Sequence, residues 1–296
     1  RSSDLGIVCH YSEDVKGLET LLSKFKKEEV LVVYTPAVPK EHAEYQYLLD
    51  KNYTILKRSQ VLGEITKAFK TIAIAGTHGK TTTTRLTAHI AKTAGYKVGY
   101  TTSDGVYIQN QMMMKGDCTG PVSSQFVLKD PTVDFAVLEC ARGGILKNGL
   151  AFQNCDVAIV TNISADHIGL GGIDTMEQMA KVKAVVPETV FKHGNAVLNA
   201  DDDLVFNMKT GLDCNIALFS MDEKNPRIVE HTKNGGYAAV FENGYITIMK
   251  GTWKIRVIRV ADVPVTYGGK ALHNIMNCLP AVLSAYFWRD IEIDDI

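Results

Sequence analysis

The sequence predicts an α/β protein whose main part is a doubly wound, mostly parallel sheet. Three observations carry this. An apolar run, a glycine turn and a helix start follow one another between Thr71 and Thr84. Continuous apolar runs then alternate with helix-like stretches, as parallel strands covered on both faces do. Past Gly235 come close-spaced alternating runs joined by Asn243-Gly244, which predict a small antiparallel sheet following the parallel one.

Before Thr71 the same alternation is visible in a smaller unit. Val30–Tyr34 and Tyr53–Leu56 read as strands, and Glu41–Lys51 and Ser59–Phe69 as helices. Thr35–Pro39 is a loop, because its prolines cannot continue a strand. The unit starts in mid-pattern, with no opening strand and glycine fingerprint. Residues 1–70 are therefore expected to be a partial Rossmann-like domain truncated at its N-terminus, and residues 71–296 a second domain.

In that second part Ile72–Ala75 is the first strand and Lys80 to about Ala94 the first helix. Lys97–Thr101, Asp134–Glu139, Asp156–Thr161, Asn195–Asn199 and Asn215–Phe219 follow as strands, with a helix over Met176–Phe191. Tyr237–Phe241 and Tyr245–Met249 form the hairpin, and Trp253–Val260 is a third strand beside it. Ala271–Phe287 reads as a helix carrying Pro280, which should kink it or mark its first turn. The closing residues 290–296 read as the entry into another element.

Composition excludes several classes. The 296 residues are 46% hydrophobic, enough for a substantial core, and the net charge of −1 gives no global field toward nucleic acid or membrane. No apolar run approaches a membrane span and no signal peptide opens the chain. The six cysteines contain no Cys-x-x-Cys pair, which argues against a zinc site or a disulfide framework and leads us to expect a cytoplasmic protein.

The chemistry centres on Gly76-Thr77-His78-Gly79-Lys80-Thr81-Thr82. Strand, glycine turn and helix N-terminus make a phosphate cradle: unpaired backbone N–H groups face the ligand and glycines admit it closely. Lys80 supplies a charge for the β- and γ-phosphates, and the Thr81 hydroxyl can ligate Mg²⁺. The loop is a shortened P-loop, because Ile74 stands where the usual pattern has its first glycine.

Ligands of doubly wound sheets sit beyond the strand carboxyl ends. Glu139 ends one strand there and is placed to hold Mg²⁺; the alternative is a solvated acid. Asp166-His167 follows another strand and offers a metal ligand, or a structural histidine. Lys181 and Lys183 lie on the next helix, where a lysine is as often a surface group. Asn274 and Asn277 share a helix face and can pair with an adenine edge; an N-cap plus one surface amide is the other reading.

Together these residues resemble the Mur ligase superfamily of ATP-dependent ligases. The similarity rests on the Gly76–Thr84 stretch, Glu139, Asn162-x-x-x-Asp166-His167, Asn199-Ala-Asp-Asp202 and His273-Asn-x-x-Asn277. Val32–Pro39 and Lys57–Gly63 resemble the N-terminal domain of UDP-N-acetylmuramate–alanine ligases. Thr101–Gly105, Lys115–Pro121, Leu138–Leu146, Asp166–Asp174 and Val197–Asp202 resemble the C-terminal ligase half of cyanophycin synthetases. Alanine-adding ligases usually carry an acidic motif after the strand-end glutamate; this chain has Arg142-Gly-Gly there.

The resemblance implies roles. Lys80 would bind the phosphates of ATP, Thr81 and Glu139 one Mg²⁺, and His167 a second. Lys183 aligns with a lysine that many members carry as a carbamate, an anion able to ligate that second metal. Asn274 and Asn277 would read adenine. The partners implied are a small-molecule or peptide carboxylate and an amino acid. The carboxylate would be activated as an acyl phosphate and then attacked by the amine. The resemblance also implies a C-terminal ligase domain, which these residues do not contain.

Three functions stay open at this stage. They are a cyanophycin-synthetase-like ligase joining arginine to an aspartate side chain, a muramate–alanine ligase of peptidoglycan synthesis, and a P-loop switch or ATPase without ligation. Neither oligomeric state nor the identity of the joined carboxylate and amine follows from the sequence.

Overall fold

The computed structural model describes residues 13–34, 38–57, 70–166, 169, 172–288 and 291–296. It divides into two units, residues 1–67 and 68–296. The smaller unit pairs β1 (Leu31–Tyr34) in parallel with β2 (Thr54–Lys57), accompanied by α1 (Val15–Leu22) and α2 (Ala43–Asp50). Asp14 caps α1 by accepting from the Gly17 N–H. The helix expected over Ser59–Phe69 lies outside the described residues.

The larger unit is built on one eleven-stranded sheet. Its strands are β3 (Lys70–Ala75), β4 (Val98–Thr102), β5 (Gly105–Ile108), β6 (Gln111–Lys115), β7 (Phe135–Glu139), β8 (Cys155–Val160), β9 (Val190–Asn199), β10 (Asn215–Ser220), β11 (Tyr237–Glu242), β12 (Tyr245–Lys250) and β13 (Trp253–Arg259). Their order is β13-β12-β11-β10-β9-β8-β3-β7-β4-β5-β6. The seven strands from β11 to β4 are mutually parallel, and an antiparallel pair extends each edge.

This refines one expectation. The Asn243-Gly244 hairpin forms, with φ of 50° and 82° at its two turn residues, but it makes no separate antiparallel sheet. β11 pairs in parallel with β10 as well as antiparallel with β12, so the hairpin continues the large sheet. The mirror-image extension, β5–β6, was not expected. Its turn is Gln109-Asn110, both at positive φ without a glycine, and every residue of β6 is exposed, so no alternation marks it.

Side chains alternate strictly across the central strands. Ile72, Ile74, Phe135, Val137, Val157 and Ile159 face one side, where they meet α3 (Lys80–Thr93) and α9 (Leu272–Tyr286). The smaller Ala73, Ala75, Ala136 and Ala158 face the other. That side is covered by α4 (Pro121–Leu128), α5 (Arg142–Asn148), α6 (Met176–Glu188), α7 (Asp203–Asn207) and α8 (Pro226–Lys233). Pro280 lies well inside α9 and is fully buried, past the first turn.

The strand order fixes where a ligand fits. From β3 the chain crosses α3 to β4; after β7 it passes to β8 on the other side of β3. β3 is thus the switch point, and its carboxyl end is flanked by those of β7 and β8. Phe135 anchors the core beneath: it is 1% exposed, and its ring lies 5.1 Å from Tyr96 and 5.3 Å from Trp288. Phe135→Ala should lower unfolding free energy by about 3–5 kcal/mol, read from urea unfolding curves with an unchanged slope.

Candidate active site

The turn after β3 is shaped by two close approaches. At Gly76, φ is +140° and a Cβ would lie 1.9 Å from the Thr161 hydroxyl oxygen. At Gly79, φ is +79° and a Cβ would lie 2.0 Å from Oδ1 of Asn277. Any side chain would drive the loop away from β8 or from α9. Gly79 is also the N-cap of α3 and provides no side-chain cap, so the first amides of the helix face outward as an anion site.

β8 braces the loop through residues that the sequence reading gave no role. Asn162 accepts the Thr77 N–H on its carbonyl (2.8 Å) and the His78 N–H on its side chain (2.9 Å). Its own side-chain amide donates to the His78 carbonyl at 3.1 Å, and the Thr161 hydroxyl donates there at 2.7 Å. The sequence signals of Asn162 were its position immediately after an apolar strand and its place in the Asn162-x-x-x-Asp166-His167 motif, neither of which says what it holds.

Three buried or half-buried charged groups surround the loop. The Lys80 ammonium donates to the Thr77 carbonyl at 2.9 Å. Burial lowers its pKa, opposed by the carboxylates of Glu139, Asp117 and Asp166. Glu139 is 2% exposed and its Oε2 accepts the Thr81 hydroxyl at 2.9 Å. Burial raises its pKa against the pull of Thr81 and Lys80. Thr81 Oγ1 also lies 3.1 Å from the Ser103 hydroxyl.

Lys183 is the most perturbed of the three. It projects from α6, is 3% exposed, and donates to the Thr77 hydroxyl at 2.9 Å. Burial, with the charges of Lys80 and Arg142 next in effect, brings its pKa down to about 7. A cavity of about 200 Å³ opens among Thr77, Lys80, Arg142, Asp166 and Lys183. His78 stands at its rim, Nε2 4.0 Å from Asp166. His167 lies outside the described residues.

The donor set fits Mg²⁺. Mg²⁺ is commonly held by one or two protein oxygens, with phosphate oxygens and water completing its shell. The 2.9 Å between Thr81 Oγ1 and Glu139 Oε2 is close to the edge of an octahedron with metal–oxygen distances of about 2.1 Å. A buried carboxylate whose pKa is raised by burial is also a group that a divalent cation would stabilise.

The two amides of α9 part company. Asn274 lines a cavity of about 550 Å³ that runs between α3 and α9 with Thr82, Val265 and Tyr267; its side-chain amide donates to the Val265 carbonyl at 2.6 Å. Asn277 is buried against Gly79, 3.5 Å from Asn274 Oδ1, and is absent from that lining. Of the two amides, Asn274 lines the larger cavity and Asn277 packs beside Gly79. Lys181 is exposed on α6.

Residues 74–285 match the Mur ligase middle domain family. The chain belongs to this family. A cyanophycin synthetase of Geminocystis herdmanii is 54% identical over 223 residues, covering 75% of this chain and 26% of that protein. A UDP-N-acetylmuramate–L-alanine ligase of Christiangramia forsetii is 32% identical over 192 residues, 62% of this chain and 37% of that protein. The Mur ligase fold is also shared with a solved pseudomurein peptide ligase type C from Methanothermus fervidus. Its TM-score is 0.54 at 20% identity, over 91% of this chain and 56% of that one. This chain spans about a quarter of the length of the cyanophycin synthetases it matches.

Lys183 gives this Mur ligase middle domain a testable pH dependence. Its folded pKa of about 7 lies below the ordinary 10.5, so between those values the unfolded chain binds more protons and stability rises with pH. Below about 7 the cost of burying the ammonium is present in full. Lys183→Met removes that cost. In CO₂-depleted buffer the variant should exceed wild type in unfolding free energy at pH 6, on the order of a few kcal/mol, and the gap should shrink by pH 9. Urea unfolding at both pH values checks it.

Proposed function

We propose that this Mur ligase domain is the ATP-using core of a carboxylate–amine ligase of the cyanophycin synthetase type. The observation that supports it best is the convergence, at one switch point, of an uncapped P-loop helix, the Thr81 hydroxyl on the buried Glu139 carboxylate, and the cationic cavity of Lys80, Arg142 and Lys183. A site for phosphate alone would not need the last of these. The identity of about half to cyanophycin synthetases supports this type over the muramate–alanine ligases, at about a third.

The chain's own residues divide the work. The outward amides of α3 and the Lys80 ammonium hold the β- and γ-phosphates of ATP. Thr82 and Asn274 border the cavity assigned to the adenosine. Thr81 and Glu139 would hold Mg²⁺, which supplies charge neutralisation on the transferred phosphoryl group. Arg142 faces the acceptor carboxylate in the smaller cavity and orients it for attack on the γ-phosphorus. His167 is assigned to a second metal.

Lys183 is assigned as a carbamate. Its pKa of about 7 leaves much of it as the neutral amine at physiological pH. That amine nitrogen adds to the carbon of CO₂ and a proton is released. Lys80 and Arg142 disfavour the ammonium and by the same charge favour the resulting anion.

Four measurements test this reading. ADP release with arginine and an aspartate-bearing acceptor, against alanine and UDP-N-acetylmuramate, should depend on the first pair. Release independent of any amine would leave a P-loop ATPase instead. Lys80→Ala should reduce turnover by at least about a hundredfold, the scale of losing one fixed charge in a phosphoryl-transfer site, with unchanged melting temperature. Lys183→Ala should lose activity that added short carboxylic acids partly restore, and wild type in ¹³CO₂ should show a carbamate carbon signal missing from the variant. A folded Lys183→Ala protein with normal turnover would make the lysine merely structural.

A further inference from the structure

Tyr267, between β13 and α9, has no part in the site as described. Its backbone is left-handed, with φ of 51° and ψ of 52°, a conformation disfavoured for any residue that carries a Cβ. Gly268 and Gly269 follow at φ of 69° and 86°. The chain thus passes through three left-handed residues in a row. Glycine, which adopts this conformation freely, fills two of the three positions, and a bulky aromatic fills the first. Among the described residues Tyr267 is also the most exposed of the large apolar side chains, at 74%.

The neighbouring residues hold that conformation in place. Thr266 is fully buried. Its hydroxyl is shared between the Val260 and Val263 carbonyls, at 2.6 and 2.8 Å, and accepts the Gly269 N–H at 3.1 Å. Its carbonyl accepts the N–H groups of Gly269 and Ala271, at 3.1 and 2.9 Å. The Tyr267 N–H itself donates to the Pro264 carbonyl at 3.1 Å, and the Asn274 amide ties α9 to the Val265 carbonyl. The backbone is therefore fixed on both sides of a ring that stands in solvent. Strain of this kind persists where the surroundings over-determine it, and it gathers at ligand clamps.

Tyr267 lines the cavity of about 550 Å³ between α3 and α9. A side chain that lines a cavity and is largely exposed stands at its mouth. The buried part of the lining is apolar, with Ile90, Ile246, Cys278 and Val282. Thr82 carries the lining to the first turn of α3, so a molecule with phosphates on the amides of that helix reaches the cavity with its other end. We infer that Tyr267 is the platform on which the base of the nucleotide stacks. This rests on the ATP reading above. A purine has two flat faces that gain from an aromatic ring, and stacking reads the face and not the edge. With its backbone already fixed, the tyrosine has only two side-chain torsions to order on binding, so little entropy is lost.

The test is calorimetric binding of ADP, and of pyrophosphate, which carries the phosphates without the base, both with Mg²⁺. Tyr267→Ala should raise the Kd for ADP at least about fivefold, the lower end of what a base–aromatic stack contributes, and leave the Kd for pyrophosphate unchanged. Tyr267→Phe keeps the ring and should stay within about twofold of wild type for ADP. Tyr267→Gly should bind ADP no better than Tyr267→Ala and should melt at a higher temperature, because glycine alone holds this φ without strain. An unchanged Kd for ADP in Tyr267→Ala, or equal losses for ADP and pyrophosphate, would overturn the assignment and leave the ATP reading intact. A Tyr267→Gly protein that melts below Tyr267→Ala would show an unstrained backbone and remove the argument for a clamp. Wild type that binds neither ligand would overturn the ATP reading itself.

Discussion

The contact on which the site depends joins two residues almost two hundred positions apart. The Thr83 hydroxyl donates to the Asn277 carbonyl at 3.3 Å across a separation of 194 residues, and the Asn277 side chain fills the space beside Gly79 where a Cβ would sit. α3 and α9 are thereby packed together over one face of the sheet, along a shared core of Ala88, Ala91, Ile275, Cys278 and Val282. The turn after β3 is consequently a tertiary feature. β3 and α3 supply its local geometry, β8 pins its middle through Asn162, and α9 closes its far side. The larger cavity is lined by residues of the same two helices, among them Thr82, Leu86, Asn274 and Cys278.

The site is also electrostatically incomplete on its own. Glu139, Lys80 and Lys183 are each shifted toward their neutral forms, and in each case burial is the leading cause. Groups so placed lower the stability of the folded chain. A ligand of opposite charge would restore the balance, and the proposed ATP–Mg²⁺ pair would bring both signs. The cost sits on the rim of a rigid sheet whose core is apolar and close-packed, so it is borne locally without loosening the fold.

Much of this was legible in the sequence, and the exceptions have physical reasons. Runs such as Phe135–Glu139 and Cys155–Val160 are buried on both faces, so plain hydrophobicity reveals them. β6 was invisible because edge strands need not bury either face, and its turn reaches positive φ through Gln109 and Asn110. Lys80, Thr81 and Glu139 announce themselves by residue type at a strand end. The bracing contacts of Asn162 and Asn277 do not: each is made by an amide meeting a loop contributed by another part of the chain. Asn274 and Asn277 share a helix face in the sequence, and one turn of helix sets the first on the cavity wall and the second beside Gly79.

The two hairpins that flank the parallel strands illustrate a matter of parity. Each adds two reversals of chain direction, and two reversals cancel. After β5 and β6 the chain emerges on the same rim from which β4 had left it, and so delivers Asp117 there. After β12 and β13 it emerges on the rim where β11 had ended, and so delivers Val263, Pro264 and Val265 to the wall of the larger cavity. A single added strand on either side would have carried those loops to the far rim, a full strand length from the turn after β3. Even-numbered excursions let the protein widen its sheet without spending any of its connections on the wrong side.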